Sequence, residues 1–230
     1  MLSAVTVYCS SSRHVDPVYF DAARDLGRGI ASRGWKLVYG GNNVGSMGVL
    51  ADAARAAGGT VIGITPQLLV DKGIADTRCD ELIVTPDMRR RKGLLEERGD
   101  AFIALPGGIG TFEEIFEIIV GRYLGYHAKP IVLLNIAGYY DHLLAMLRLG
   151  IERRFIKAGL DELFFTATDV ESALRYLESC ATTTPSPVAT DSPQATLTRL
   201  PVLGRSCKDL IKRHLRANCC GGTHDLPDWR

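Results

Sequence analysis

The chain has 230 residues, 46% hydrophobic and 23% charged, a composition that excludes a disordered or fibrous protein. Twenty-seven Lys and Arg stand against twenty-six Asp and Glu, so no global field recruits nucleic acid or a membrane surface. The six cysteines, Cys9, Cys79, Cys180, Cys207, Cys219 and Cys220, are too unevenly spaced for a disulfide framework; with no apolar run of about 18 residues and no signal-peptide pattern, a cytoplasmic protein is expected.

Short β-rich runs alternate with amphipathic stretches from the N-terminus onward. Strands are predicted at 4–9, 35–39, 60–64, 81–84, 101–105, 131–135 and 163–166, and helices at 17–32, 47–57, 87–98, 111–124, 139–155 and 169–178. Such alternation implies right-handed crossovers, and predicts for residues 1–179 an α/β domain with a mostly parallel central sheet of about seven strands and helices on both faces. Ligands of such sheets bind beyond the carboxyl ends of the strands. From 181 to 195 the chain is rich in Thr, Pro, Ser and Ala with one charge, Asp191, so residues 180–230 read as a flexible linker and a basic C-terminal tail. The tail residues Cys207, His214, Cys219, Cys220 and His224 fit none of the usual zinc spacings, and no metal is expected.

The loop after the second strand runs Gly40, Gly41, Asn42, Asn43, Val44, Gly45, Ser46, Met47, Gly48. Its glycines let backbone approach a ligand, and the following helix N-terminus offers free N–H groups to a phosphate; a tight turn without ligand is the other reading. A dinucleotide site needs an acid at the end of the next strand, where this chain has Thr65 and Pro66. Classical NAD binding is therefore disfavoured.

The loop after the fifth strand is Pro106, Gly107, Gly108, Ile109, Gly110, Thr111, Phe112, Glu113, Glu114. Three glycines before a helix build a nest of N–H groups to which Thr111 adds a hydroxyl, an arrangement suited to a phosphate monoester; the Walker lysine is absent. Thr111 and Glu114 also have capping-box spacing, in which Glu114 merely bonds back to the backbone, but that leaves Glu113 and the glycines unexplained. Upstream, Asp87 is a candidate N-cap for a helix that begins Met88, Arg89, Arg90, Arg91, Lys92. Four cations in the first turns oppose the helix dipole. An anionic ligand resolves that conflict, and a solvated charged face is the alternative.

These residues resemble the LOG (Lonely Guy) family of cytokinin riboside 5'-monophosphate phosphoribohydrolases, often labelled lysine decarboxylases. Pro106 to Glu114 match its PGGxGTxxE signature, Met88, Arg91 and Lys92 its MxxRK element, the loop from Gly40 its GGGxVGxMG, and Leu124, Gly125, His127, Lys129 and Pro130 its LGxHxKP. The resemblance implies a Rossmann-like single domain, a homodimer, no cofactor, and hydrolysis of the N-glycosidic bond of a nucleoside 5'-monophosphate to free base and ribose 5-phosphate. By the same likeness Arg91 and Glu114 form the catalytic pair, while Lys92, Gly107, Gly108, Gly110, Thr111, Glu113, Gly41, Gly45 and Met88 belong to the substrate site.

Elementary chemistry agrees with that assignment. Breaking an N-glycosidic bond builds positive charge on the ribose, which a Glu114 carboxylate can stabilise while orienting water or ribose hydroxyls. Arg91 stays charged and so acts electrostatically rather than as a proton donor. Departures from the family pattern are Ser10, Asn42, Arg89 and Val120, which leave the reaction class standing and the preferred base open. The alternatives are a general AMP nucleosidase and a non-enzymatic molybdenum-cofactor carrier. A lysine decarboxylase is rejected, because Lys72, Lys92 and Lys129 lack a recognisable pyridoxal-phosphate context. His127 is read as making a structural hydrogen bond, and Tyr139 and Tyr140 as packing at a helix start.

Overall fold

The computed structural model describes residues 2–182; the linker and the Cys/His tail expected beyond them lie outside the described residues. Seven strands, β1 (Ala4–Tyr8), β2 (Lys36–Tyr39), β3 (Val61–Pro66), β4 (Glu81–Thr85), β5 (Ala101–Ala104), β6 (Ile131–Leu134) and β7 (Phe165–Ala167), alternate with helices α1 (Pro17–Ser32), α2 (Gly45–Ala56), α3 (Gln67–Asp71), α4 (Met88–Arg98), α5 (Ile109–Tyr123), α6 (Asp141–Glu152) and α7 (Val170–Thr182). All seven strands form one sheet in the order β4-β3-β2-β1-β5-β6-β7, and every pairing is parallel. The Rossmann-like α/β domain expected from the sequence is the fold.

Alternating strand residues feed two cores, because successive side chains leave opposite faces of a strand. Val5, Val7, Leu37, Tyr39, Ala101 and Ile103 pack with α1, α2 and α7. Ala4, Tyr8, Val38, Phe102 and Ala104 pack on the other face with α4 and α5. With both faces covered, β1, β5 and β6 are buried throughout their length, which is why they read as continuous apolar runs rather than alternating ones.

The chain builds outward from β1 to β4, then returns beneath the sheet through α4 to place β5 against β1. A crevice opens at such a reversal, since the loops after the two central strands depart in opposite directions. Beside it, residues 67–80 form a strap that the sequence did not signal. It carries α3, then bridges Asn42 through Ala75; Asn43 N donates to Ile74 O at 3.0 Å and Asp76 N to Gly41 O at 2.8 Å.

Candidate active site

A cavity of about 440 Å³ occupies the crevice, lined from β1 by Cys9 and Ser10 to Ser12, from β2 by Asn42 and Met47, from the strap by Leu69 and Ile74, and from α4 and α5 by Met88, Arg91 and Gly108 to Glu114 without Phe112. Its volume lies within the roughly 300–1,000 Å³ usual for small-ligand sites.

One wall is the start of α5. The helix begins at Ile109, with Gly108 as N-cap and no side-chain cap, two residues before the expected start. Gly108 and Gly110 are poor helix formers, which hid that first turn. The shift decides between the two readings of Thr111: it stands in the third helical position rather than at the cap, and Glu114 bonds Arg91 instead of the backbone. The capping box does not form. Phe112 N bonds Gly108 O, leaving the N–H groups of Ile109 to Thr111 without intrahelical acceptors, as at any helix N-terminus. Gly107 has a steric reason to be glycine, since a Cβ there would run into the Thr111 side chain.

The opposite wall is α4, whose N-terminus is satisfied: Asp87 accepts from Arg90 N at 2.8 Å, as expected. This fixes Arg91 one turn further in. Arg91 is 4% exposed; its Nε donates to Ile64 O at 3.0 Å and its Nη1 to Glu114 Oε1 at 2.6 Å. A charge-assisted contact of that length between two buried groups is far stronger than its surface counterpart. Burial pushes the Glu114 carboxyl above its ordinary value, with Arg91 pulling the other way. Burial likewise raises the Cys9 thiol, further helped by Glu114, so the thiol stays protonated and adds no charge to the site.

Of the other residues expected in the substrate site, Met88, Gly108, Gly110, Thr111 and Glu113 line the cavity. Lys92 does not: it pairs with Glu113 and with Glu117 on the outer side of α4 and α5. Gly41 sits against the backbone of Gly63 and Ile64, and Gly45 against that of Ser11 and Ser12, so both shape the loops rather than line the cavity. Gly107 lines a smaller adjoining cavity of about 230 Å³ with Ser10, Ser12, Tyr19 and Tyr139. Among the departures from the family pattern, Ser10 and Asn42 face the cavity, whereas Arg89 is exposed and Val120 is 49% exposed on α5.

Two residues do more than expected. Tyr139 Oη donates to Gly107 O at 2.5 Å and Tyr140 Oη to Leu105 O at 2.7 Å. Together they hold the carbonyls on either side of Pro106 from behind, at the base of the N–H nest. Asn135 accepts from Tyr140 N at 2.6 Å and donates to Asp141 at 2.8 Å, fixing this corner to the end of β6. The Tyr139 and Tyr140 pair itself was the only signal. His127 meets its expectation, with Nε2 3.0 Å from Ile118 O; burial lowers its pKa.

Asp76, unmarked in the sequence, is wholly buried. It accepts from Tyr39 Oη at 3.0 Å, Arg55 Nη2 at 2.9 Å and Arg78 Nε at 2.9 Å. Burial works to raise its pKa, but the bonds from Arg78, Arg55 and Tyr39 outweigh it and the carboxyl is held below its ordinary value. The strap is thereby anchored beside the cavity. Arg78 is a sequence neighbour, but no isolated feature of a lone loop aspartate could have announced Tyr39 and Arg55.

A family model described as "possible lysine decarboxylase" matches residues 47–177. No lysine lines the cavity, and Lys129 Nζ is spent on Glu96 O at 2.6 Å. A cytokinin riboside 5'-monophosphate phosphoribohydrolase of Arabidopsis thaliana is 41% identical over 175 residues, 76% of this chain and 77% of the relative. One from Mycobacterium tuberculosis is 43% identical over 172 residues, 74% of this chain and 91% of the relative. Among solved structures, the molybdenum cofactor binding protein of Rippkaea orientalis superposes with a TM-score of 0.62 at 26% identity, covering 79% of this chain and 99% of that one. The molybdenum cofactor carrier protein of Chlamydomonas reinhardtii gives 0.61 at 24%, covering 80% and 100%, a likeness of fold. With Met88, Arg91 and the signature residues from Gly108 to Glu114 at one crevice and relatives of this identity over three quarters of its length, the chain belongs to the LOG family of cytokinin riboside 5'-monophosphate phosphoribohydrolases.

Proposed function

We propose that the protein hydrolyses the N-glycosidic bond of cytokinin riboside 5'-monophosphates, and of AMP, to free base and ribose 5-phosphate. The observation that carries this reading is the buried Arg91–Glu114 pair beside the uncapped N-terminus of α5. The 5'-phosphate takes the free N–H groups of Ile109 to Thr111 and the Thr111 hydroxyl, where the helix dipole favours negative charge. Glu114, one turn further along α5, then faces the ribose. As the bond between C1' and the base nitrogen breaks, its electron pair leaves with the base and positive charge grows on the sugar. The Glu114 carboxylate stabilises that charge and orients a water whose oxygen bonds C1'; one of the water's protons stays on the new C1' hydroxyl, and the other is lost as the base nitrogen takes one up. Arg91 holds Glu114 ionised and in place.

A homodimer fits the apolar side chains that α5 and α6 leave exposed, among them Val120, Tyr123, Leu124, Met146 and Leu149. No helix among the described residues is long and apolar enough to cross a membrane, and a cytoplasmic enzyme on small nucleotides is the setting we assign. Residues 180–230 are assigned no part in the chemistry.

The experiment is to incubate the purified protein with AMP and with isopentenyladenosine 5'-monophosphate and follow free base and ribose 5-phosphate by chromatography. Release from both, faster from the isopentenyl compound, is expected; a faster reaction with AMP makes it a general AMP nucleosidase. No release, together with tight binding of a pterin cofactor, overturns the hydrolase reading in favour of a carrier.

A further inference from the structure

Asn42 is a polar side chain with little to do inside the protein. It is 4% exposed and lines the cavity. Its Oδ1 accepts from the buried Thr65 hydroxyl at 3.2 Å. Its Nδ2 meets only the Met47 sulfur at 3.9 Å, a weak acceptor, and its second N–H has no partner among the described residues. A buried amide donor left in this state is costly, and a ligand acceptor in the cavity removes the cost.

Topology says which part of a nucleotide that is. Asn42 follows β2 and the phosphate nest follows β5, with β1 between them, so the two stand about 9–10 Å apart at the usual strand spacing. A nucleoside monophosphate anchored by its phosphate at α5 extends across β1 and brings its base toward β2. Met47, Leu69, Ile74 and Met88 line that side of the cavity with apolar surface, suited to a flat heteroaromatic ring.

We propose that Asn42 determines base specificity by donating a hydrogen bond from Nδ2 to a ring nitrogen of the bound purine. The inference rests on the nucleotide reading above and deepens it. An asparagine that reads adenine by two bonds uses its oxygen for the exocyclic amine and its nitrogen for a ring acceptor. Here the oxygen is engaged by Thr65, so recognition comes from the donor alone. An alkyl group on the exocyclic nitrogen leaves every ring nitrogen in place, and the site therefore accepts adenine and its N6-alkylated forms alike.

The test uses 1-deaza-, 3-deaza- and 7-deaza-adenosine 5'-monophosphate, each lacking one ring nitrogen, titrated by calorimetry into the wild-type protein, Asn42→Gly and Asn42→Asp. Asn42→Asp keeps an acceptor for Thr65 and loses the amide donor; the carboxylate it adds bears on all three phosphates alike, so the gap between analogues still reads the donor. In the wild type one analogue should bind about tenfold more weakly than the other two, the worth of one hydrogen bond to a buried donor. In both variants that gap should close. Equal affinities in the wild type, a gap that survives in both variants, or an equal loss for all three analogues overturns the proposal. Because the titration needs no turnover, a wild type that releases no base overturns the hydrolase reading without obscuring the gap.

Discussion

The same two helices, α4 and α5, are joined by an inner ion pair and an outer set that differ in their surroundings. Arg91 and Glu114, with side chains 5% and 9% exposed, meet inside the crevice. Lys92, the next residue, reaches Glu113 and Glu117 at the rim, where both carboxylates are about half exposed. Neighbours in sequence thus sit in different dielectrics. The inner pair is largely shielded from solvent, so its charges are screened less than those at the rim. The outer set is screened and largely fastens α4 to α5. A run of four cations in the sequence carries no label separating the one that matters for chemistry from those that do not; burial supplies it.

The strongest way to break this contrast is to neutralise one inner partner. Glu114→Gln should lower the rate of base release by about 10²–10⁴-fold, the usual worth of a positioned acid or base. Removing Arg91 as Arg91→Met should also cost about 3–5 kcal/mol of stability, since Glu114 is left buried without its countercharge; chemical denaturation measures it. A second effect comes from the loop that sets the nest: Gly107→Ala drives a methyl into Thr111 and should cost about 1–3 kcal/mol while raising KM, read from melting and steady-state kinetics. Tyr139→Phe removes one anchor from the Gly107 carbonyl and should cost about 1 kcal/mol, seen as a several-fold rise in KM with kcat little changed.

Acidity sharpens the comparison from another side. Burial raises the Glu114 carboxyl, and the proposed mechanism uses its ionised form, so activity should fall as pH drops through that raised value. The acid limb of the rate profile then lies above the ordinary glutamate range and disappears in Glu114→Gln. Asp76 runs opposite: its carboxyl is held low, so the stability it adds is complete above the unfolded aspartate pKa and lost only as pH falls through the lowered one. Thermal melting across acid pH separates the two. The smallest effect belongs to the rim, where Lys92→Met should change stability by at most about 1 kcal/mol and reduce turnover far less than Glu114→Gln.

Much of this architecture was legible from local pattern. All seven strands and the six long helices were readable, because apolar runs buried on both faces contrast sharply with amphipathic helices. Boundaries moved where glycine or a turn intervened. The α5 start lay hidden by Gly108 and Gly110, and α6, expected over 139–155, runs from Asp141 to Glu152 because Arg154 adopts a left-handed conformation that a helix cannot continue through. At the site, the Arg91–Glu114 pair was legible only through the resemblance to the family signature, since spacing alone left Glu114 open to the capping-box reading. The strap of residues 67–80 and Asp76 were not, since Tyr39 and Arg55 reach Asp76 only after folding. Nor could sequence divide Ser10 and Asn42, which face the cavity, from Arg89 and Val120, which do not.

The two tyrosines behind the Gly-rich loop tie the readiness of the anion nest to a helix with little grip of its own. No residue of α6 itself is fully buried within the protomer, so in a monomer it should be the first of the long helices to open under native-state fluctuation. Were that opening to extend back to Tyr139 and the buried Tyr140 that precede the helix, their hydroxyls would leave the Gly107 and Leu105 carbonyls together, and the loop would lose its order while the sheet beneath stayed intact. Amide hydrogen exchange at Gly107 to Thr111 should then track that of α6 rather than that of α5. With phosphate bound at the nest as proposed, its affinity would in that sense be governed from across the loop, by how long one helix stays closed.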